Sequence, residues 1–200
     1  MMIYSSVQPI GVFISDLLQK KYNLSSVTAG ELQGSVYLVA GILLPVVGFF
    51  CDRFGKLTFV MIGASLLCLS ANLCWVFLPN TCIEDDSCMG VVVTPILLMG
   101  CSYALFAGTA WNALCYIVRE DQIGLALGIA SSLLNIGCTL IPPLMGKLQD
   151  HTMELDQGYY WVTRLSSLTS LIAVALCIAL HFYDICKNSG HLSMSDKKRN

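Results

Sequence analysis

The sequence is short of charge. Only 12% of its 200 residues are Asp, Glu, Lys or Arg, about half the roughly 25% of an average soluble domain. The shortage is concentrated in runs. No Asp, Glu, Lys, Arg or His stands between Glu31 and Asp52, between Lys56 and Glu84, between Asp86 and Arg119, or between Asp121 and Lys147. Each run has room for the roughly 20 apolar residues that an α-helix needs to cross the hydrocarbon core of a bilayer. A greasy soluble core does not gather its charges into clusters in this way. With 56% hydrophobic residues, the chain reads as an integral, multi-pass membrane protein that crosses the bilayer about six times as helices. Other shortages narrow the function. A net charge of −2 offers nothing to a polyanion, so no nucleic-acid partner is expected. His151, His181 and His191 lie at span ends or in the tail, and no Cys/His group has metal-ligand spacing, so neither a metal nor a cofactor is expected. A membrane-embedded enzyme has little support, because no nucleophile–base pair or buried acid is visible. A basic n-region and a clean small-residue cleavage site are also missing, which argues against a signal peptide at the start.

What is present is an all-α membrane bundle over residues 1–186. Its spans are expected at about 1–18, 32–50, 57–78, 89–118, 123–145 and 159–183, followed by a polar, disordered tail at 187–200. The first span is short, carries Pro9 and is expected to end at Asp16, Lys20 and Lys21, so it reads as the truncated remainder of a longer helix. The fourth is long enough to tilt or to extend beyond the lipid. Pro142-Pro143 should break or kink the end of the fifth. Of ten cysteines, Cys68, Cys74, Cys101, Cys115, Cys138 and Cys177 fall inside apolar runs and act as small hydrophobes.

Loop charges give the orientation. Arg53, Lys56, Arg119, Lys187, Lys197, Lys198 and Arg199 would share one side, and Lys20, Lys21, Lys147 and Arg164 the other. The side richer in basic residues should be cytosolic, which makes the tail cytosolic and turns the 20–29 and 80–88 loops to the lumen or exterior. In such an oxidising compartment Cys82 and Cys88 can close a small loop disulfide, or remain two free thiols. Asn23-Leu24-Ser25 is an N-glycosylation sequon on the same side, close to the membrane.

Between the second and third spans lies Gly48-Phe49-Phe50-Cys51-Asp52-Arg53-Phe54-Gly55-Lys56. A tight turn between two helices needs glycine where backbones crowd or φ turns positive. Arg53 and Lys56 hold the loop at the cytosolic face, and the Asp52 carboxylate can pair with a helix N-terminus or a basic side chain. The string resembles the short-loop signature of the major facilitator superfamily, Gly-x-x-x-Asp-Arg-x-Gly-Arg/Lys, at every fixed position. The resemblance implies a conformational latch made of Gly48, Asp52, Arg53, Gly55 and Lys56, distinct from the substrate site. It extends through Gly100-Cys101-Ser102-Tyr103-Ala104-Leu105, Ala110-Trp111, Val118 to Gly124, Ser132, Asn135-Ile136-Gly137 and Gly146 to Asp150. These stretches are similar to the tenth span and beyond in the branch of lysosomal dipeptide transporters, with departures at Asn112 and Arg119, where the branch pattern calls for proline. The resemblance implies the second, C-terminal half of a twelve-span carrier, spans seven to twelve, in a lysosomal membrane. It also implies a glycosylated lysosomal accessory membrane protein as partner. A first half is the competing reading. The short-loop motif occurs in both halves, whereas the 100–150 match and the basic tail favour the second.

With no charge in the middle of any span, the groups left to meet a substrate are neutral. Tyr103, Ala107 and Trp111 follow i, i+4, i+8 beside Gly108, Thr109 and Ala110, so an aromatic pair can wall a cavity and orient a ligand through Tyr O–H and Trp N–H. Asn112 adds a costly amide at the same depth. The alternative is that Trp111 only packs. Ser131, Asn135 and Thr139 form a second stripe, which serves either a water-filled path or hydrogen bonds between helices. Tyr4 and Gln8 share a face beside Pro9, and a broken helix with polar groups is where transporters place sites. The expected function is a secondary-transporter half moving dipeptides or similar small polar solutes by alternating access. Any proton-coupling group and any charge partner for a zwitterion would come from the missing N-terminal half or an oligomer. The alternative is a truncated, non-transporting membrane protein that works through a partner.

Overall fold

The computed structural model describes residues 2–78, 87–151 and 158–187, with side chains for all of these except 2–10, 12, 87–89 and 91. Six long α-helices follow one another among them: α1 Met2–Tyr22, α2 Ser26–Phe54, α3 Leu57–Phe77, α4 Ser87–Ile117, α5 Ile123–His151 and α6 Tyr159–Lys187. A 3-10 turn at Glu120–Gln122 leads into α5. Five helices are long and apolar enough to cross a membrane. The remaining one is α1, which carries Asp16, Lys20 and Lys21 in its second half and packs along α2, α5 and α6.

Most helices run past their apolar windows. α2 extends from 26 to 54 where 32–50 was expected, and α5 and α6 reach 151 and 187 where 145 and 183 were expected. α1 continues through position 9 and through Asp16, Lys20 and Lys21, which were expected to end it. Pro142 and Pro143 do not break α5 either, since eight residues of helix follow them. Two prolines forfeit two N–H donors, but leaving the helix in lipid would strip many more backbone groups of partners. The longest helix, α4, has 31 residues, or about 46 Å at 1.5 Å per residue, against a hydrocarbon core of roughly 30 Å.

The helix ends have local causes. The Ser25 hydroxyl caps α2 by accepting from the Thr28 N–H at 3.1 Å. Gly55 ends α2 at φ +64, donating its N–H to Cys51 O at 2.9 Å. Lys56 follows at φ +56, in the left-handed region, and its carbonyl accepts from Phe59 N at 3.0 Å and Val60 N at 3.2 Å to start α3. Two consecutive positive φ values turn the chain back on itself in two residues.

α4 is the hub, packed between α2 and α3, with α6 on the far side of α3. Glycine allows the close approach to α2: a Cβ added at Gly100 would lie 2.9 Å from Val36 O, and one at Gly108 would lie 2.9 Å from Val47 Cγ1. On its other side the Ser102 hydroxyl donates to Ala64 O in α3 at 2.8 Å. Where α3 meets α6, Asn72, 1% exposed, donates to Ser170 Oγ at 2.7 Å and to Cys68 O at 3.0 Å. Cys68 and Cys177 are buried, and Cys68 Sγ joins this seam 3.6 Å from Ser170 Oγ. The outside is apolar: Phe59, Leu66, Leu73 and Phe77 on α3 and Leu168, Leu171, Leu176 and Phe182 on α6 are exposed, as lipid-facing surfaces require and a water-soluble monomer rarely tolerates.

Two outcomes test this packing. Gly100→Ala should destabilise the bundle by about 1–3 kcal/mol, because its methyl meets backbone, which cannot rotate away. Ser170→Ala should cost about 0.6 to 1.7 kcal/mol, the size of a hydrogen bond between membrane helices. Thermal unfolding in a mild detergent measures both.

Candidate functional site

The aromatic stripe of α4 does not stay on one side. Tyr103, half-buried, meets Tyr37 of α2 edge to face, ring centres 6.1 Å apart and planes at 84°. Two turns on, Trp111 faces elsewhere, lining a cleft of ≈ 220 Å³ between α3, α4 and α5. Its other lining residues are Met61, Phe106, Ala110, Leu114, Ala130 and Leu134. Eight residues of an α-helix advance the side-chain direction by about 80°, which is enough to aim the two rings at different neighbours. The arrangement is an aromatic pair on one flank of α4 and an apolar cleft on the other, at α5.

The Tyr37–Tyr103 pair is braced from α1. The Gln33 amide of α2 donates to Gly11 O at 2.6 Å, and a Cβ added at Gly11 would lie 3.2 Å from the Tyr37 hydroxyl. α1, α2 and α4 therefore converge where Gly11 leaves room. Positions 4 and 8 belong to α1, and the side chains of Tyr4 and Gln8 lie outside the described residues. Gln33 and Tyr37 were not singled out from the sequence. Their signal was an amide and a phenol at i, i+4 inside a charge-free run.

The polar candidates behave differently from one another. The Asn112 amide donates to Gly108 O in its own helix at 2.9 Å and is half-buried. Asn135 is exposed on α5, and its carbonyl accepts from the Thr139 hydroxyl at 2.8 Å. Ser132 likewise bonds Gly128 O, at 2.9 Å. These hydroxyls satisfy themselves on their own backbone, and the structure brings neither Asn112 nor Asn135 onto the Tyr37–Tyr103 pair.

At the α2–α3 turn Asp52, Arg53 and Lys56 are exposed and Gly48 is half-buried. The Arg53 guanidinium lies 6.0 Å from the centre of the Phe54 ring. Asn23 is exposed at φ +54, between α1 and the Ser25 cap of α2. The pair Cys82 and Cys88 lies outside the described side chains.

Two charged positions are more deeply held than their sequence context suggested. Asp184, expected just beyond the sixth span, is in the last turn of α6 and 0% exposed. Asp16, expected to end the first span, is inside α1 and accepts hydrogen bonds from α5 and α6: from Gln149 Nε2 at 3.0 Å and from the Tyr159 hydroxyl. Its partners are 133 and 143 residues away in sequence, a separation that no local pattern announces.

Comparison with known proteins agrees with this architecture. The family model of the Major Facilitator Superfamily matches residues 1–197. The cattle (Bos taurus) lysosomal dipeptide transporter MFSD1 is 25% identical over 197 residues, covering 98% of this chain and 38% of the relative. The chicken (Gallus gallus) protein of that name is 25% identical over 181 residues, covering 90% of this chain and 37% of the relative. The mouse (Mus musculus) protein is 27% identical over 185 residues, covering 90% and 35%. The chain thus spans little more than a third of the length of the curated relatives it matches. With six packed helices, the Gly48–Lys56 turn and a family match over nearly its whole length, the chain belongs to the Major Facilitator Superfamily and is an integral, multi-pass membrane protein of a transporter family.

Proposed function

We propose that this chain is the C-terminal half, spans seven to twelve, of a secondary transporter that moves dipeptides or similar small polar solutes across a lysosomal-type membrane by alternating access. The observation that carries the reading is the neutral, aromatic character of both flanks of α4: the Tyr37–Tyr103 pair braced from α1, and the Trp111 cleft beside α5. No charged side chain is among the residues named for either flank. Such walls suit the apolar side chains and the amide of a small peptide, while its terminal charges would be met by a complementary half. The names of the relatives, which are lysosomal dipeptide transporters, support the substrate class and the compartment. A glycosylated accessory membrane protein and glycosylation of Asn23 belong to the same reading.

The exposed Asp52, Arg53 and Lys56 would be the cytosolic latch, open to partners outside this half. A second reading, a membrane protein that does not transport and acts through a partner, draws on the large exposed apolar side chains of α2 and α5, among them Leu38, Ile42, Val46, Leu125, Ile129 and Leu133. Those faces suit another helical unit as well as they suit lipid.

Two experiments test the site and the latch, both on the chain co-reconstituted with a complementary six-helix half. Trp111→Ala combined with Asn135→Ala should lower initial dipeptide uptake on the order of tenfold or more, as truncation of an aromatic anchor does. Unchanged flux would remove both residues from the site. Lys56→Gly should relieve left-handed strain of roughly 1–2 kcal/mol and raise the melting temperature, yet slow turnover by removing the latch charge. Faster or unchanged uptake would show that Lys56 has no gating role.

A further inference from the structure

Three helices meet on the Asp16 carboxylate. Its Oδ2 accepts from Gln149 Nε2 of α5 at 3.0 Å and from the Tyr159 hydroxyl of α6, and Lys20 Nζ of α1 lies 2.9 Å from it. Tyr159 is 0% exposed and Gln149 7%, so both donors reach the carboxylate from packed positions. The backbone clamps the same spot. Gly158 sits at φ +88, and a Cβ there would lie 2.7 Å from Gln149 Cγ and 2.8 Å from Gln149 O. This end of α5 is fixed to its neighbours, at the end of the bundle opposite the Asp52–Lys56 turn.

The rest of α5 is not fixed in this way. Its buried residues are Gly137, at mid-helix, and Met145 and Gln149, both beyond the two prolines. Leu125, Ile129, Leu133, Ile136 and Leu140 face outward ahead of the prolines, as Leu144 does beyond them, and before the prolines the helix touches α4 at the cleft through Ala130 and Leu134. Pro142 and Pro143 lie between the fixed and the loose parts and remove two consecutive N–H donors from the helix ladder. A rod held at one end, with a weakened ladder next to the hold, moves mostly at the other end.

We propose that Asp16 is the positioning residue of the transport cycle that anchors α5. The anchor holds one end while the far half of α5 swings to widen or narrow the Trp111 cleft. Asp16 acts here by accepting hydrogen bonds and does not touch substrate. The inference rests on the transporter reading for its role, but its first test does not need transport.

Amide hydrogen exchange of the full chain in lipid nanodiscs is compared for the wild type, Asp16→Ala, Asp16→Asn and Tyr159→Phe. Asp16→Ala should speed exchange in residues 144–151 and in the first turn of α6 by about tenfold, the scale of losing hydrogen bonds to a charged group. The α2–α4 core should be unchanged. Asp16→Asn retains an acceptor and should stay within about threefold of the wild type, and Tyr159→Phe should fall between the two. In the co-reconstituted carrier, Asp16→Ala should lower the maximal rate and leave KM for a dipeptide within about twofold. An Asn variant as loose as the Ala variant would overturn the anchor, as would exchange that rises across the core or not at all. A raised KM at unchanged maximal rate would also overturn it, by placing Asp16 on the substrate. A wild-type pair that moves no dipeptide would count against the transporter reading, and the exchange comparison would still decide the anchor.

Discussion

The constraint behind every feature of this chain is that lipid offers no hydrogen bonds. Inside a bilayer each backbone N–H and C=O must be paired by its own helix, and the consequences run through the structure. Helices α2, α4 and α5 continue past Pro45, Pro95 and Pro142-Pro143. Side chains obey the same rule: Ser35, Ser65, Ser70, Thr109, Asn112 and Thr139 all bond carbonyls three or four residues back. With polar groups satisfied locally, helix association is left to close packing and a few shared bonds. Gly100, Gly108 and the Asn72–Ser170 contact supply these around α4 and α3.

That economy decides where a site can form. α2, α3 and α4 make a dense unit, because glycine lets α4 settle against α2 and Ser102 ties it to α3. α1 and α5 are joined to it more loosely and at particular points, Gln33–Gly11 for α1 and the Asp16 junction between α1, α5 and α6. The open features, an aromatic pair and a cleft, lie at the borders between the dense unit and these two helices. Rigid elements meeting less tightly held ones is the arrangement that alternating access requires.

Much of the fold was legible because lipid writes long, unmistakable runs. Four charge-free gaps located spans two to five, and the Gly48–Lys56 string located the turn, where Gly55 adopts the positive φ expected of a glycine and Lys56 adopts one that was not foreseen. Helix ends were less legible, because a helix leaving the bilayer keeps its hydrogen bonds through polar residues; Lys20 and Lys21 remain within α1 and Gln149 within α5. Of the break or kink expected at Pro142-Pro143, the break does not occur, since local propensity lost to the cost of unpaired backbone in lipid. At the site, the stripe of Tyr103 and Trp111 was visible, but its twist about α4 was not. Ser131, Asn135 and Thr139 read as a path or as interhelical bonds, whereas Thr139 turns back on its own helix. Asp16 was read only as a charge at the end of the first span, and its bonds were not legible because Gln149 and Tyr159 reach it from helices more than 130 residues away.

The central claim is that this chain supplies one wall of a site whose other wall belongs to a complementary half. Dipeptide flux into proteoliposomes, with the 200-residue chain alone and with the chain plus a complementary six-helix half, measures this most directly. Saturable flux should require both parts, with the chain alone at the level of empty liposomes. Robust flux from the chain alone, as a monomer, would contradict the account.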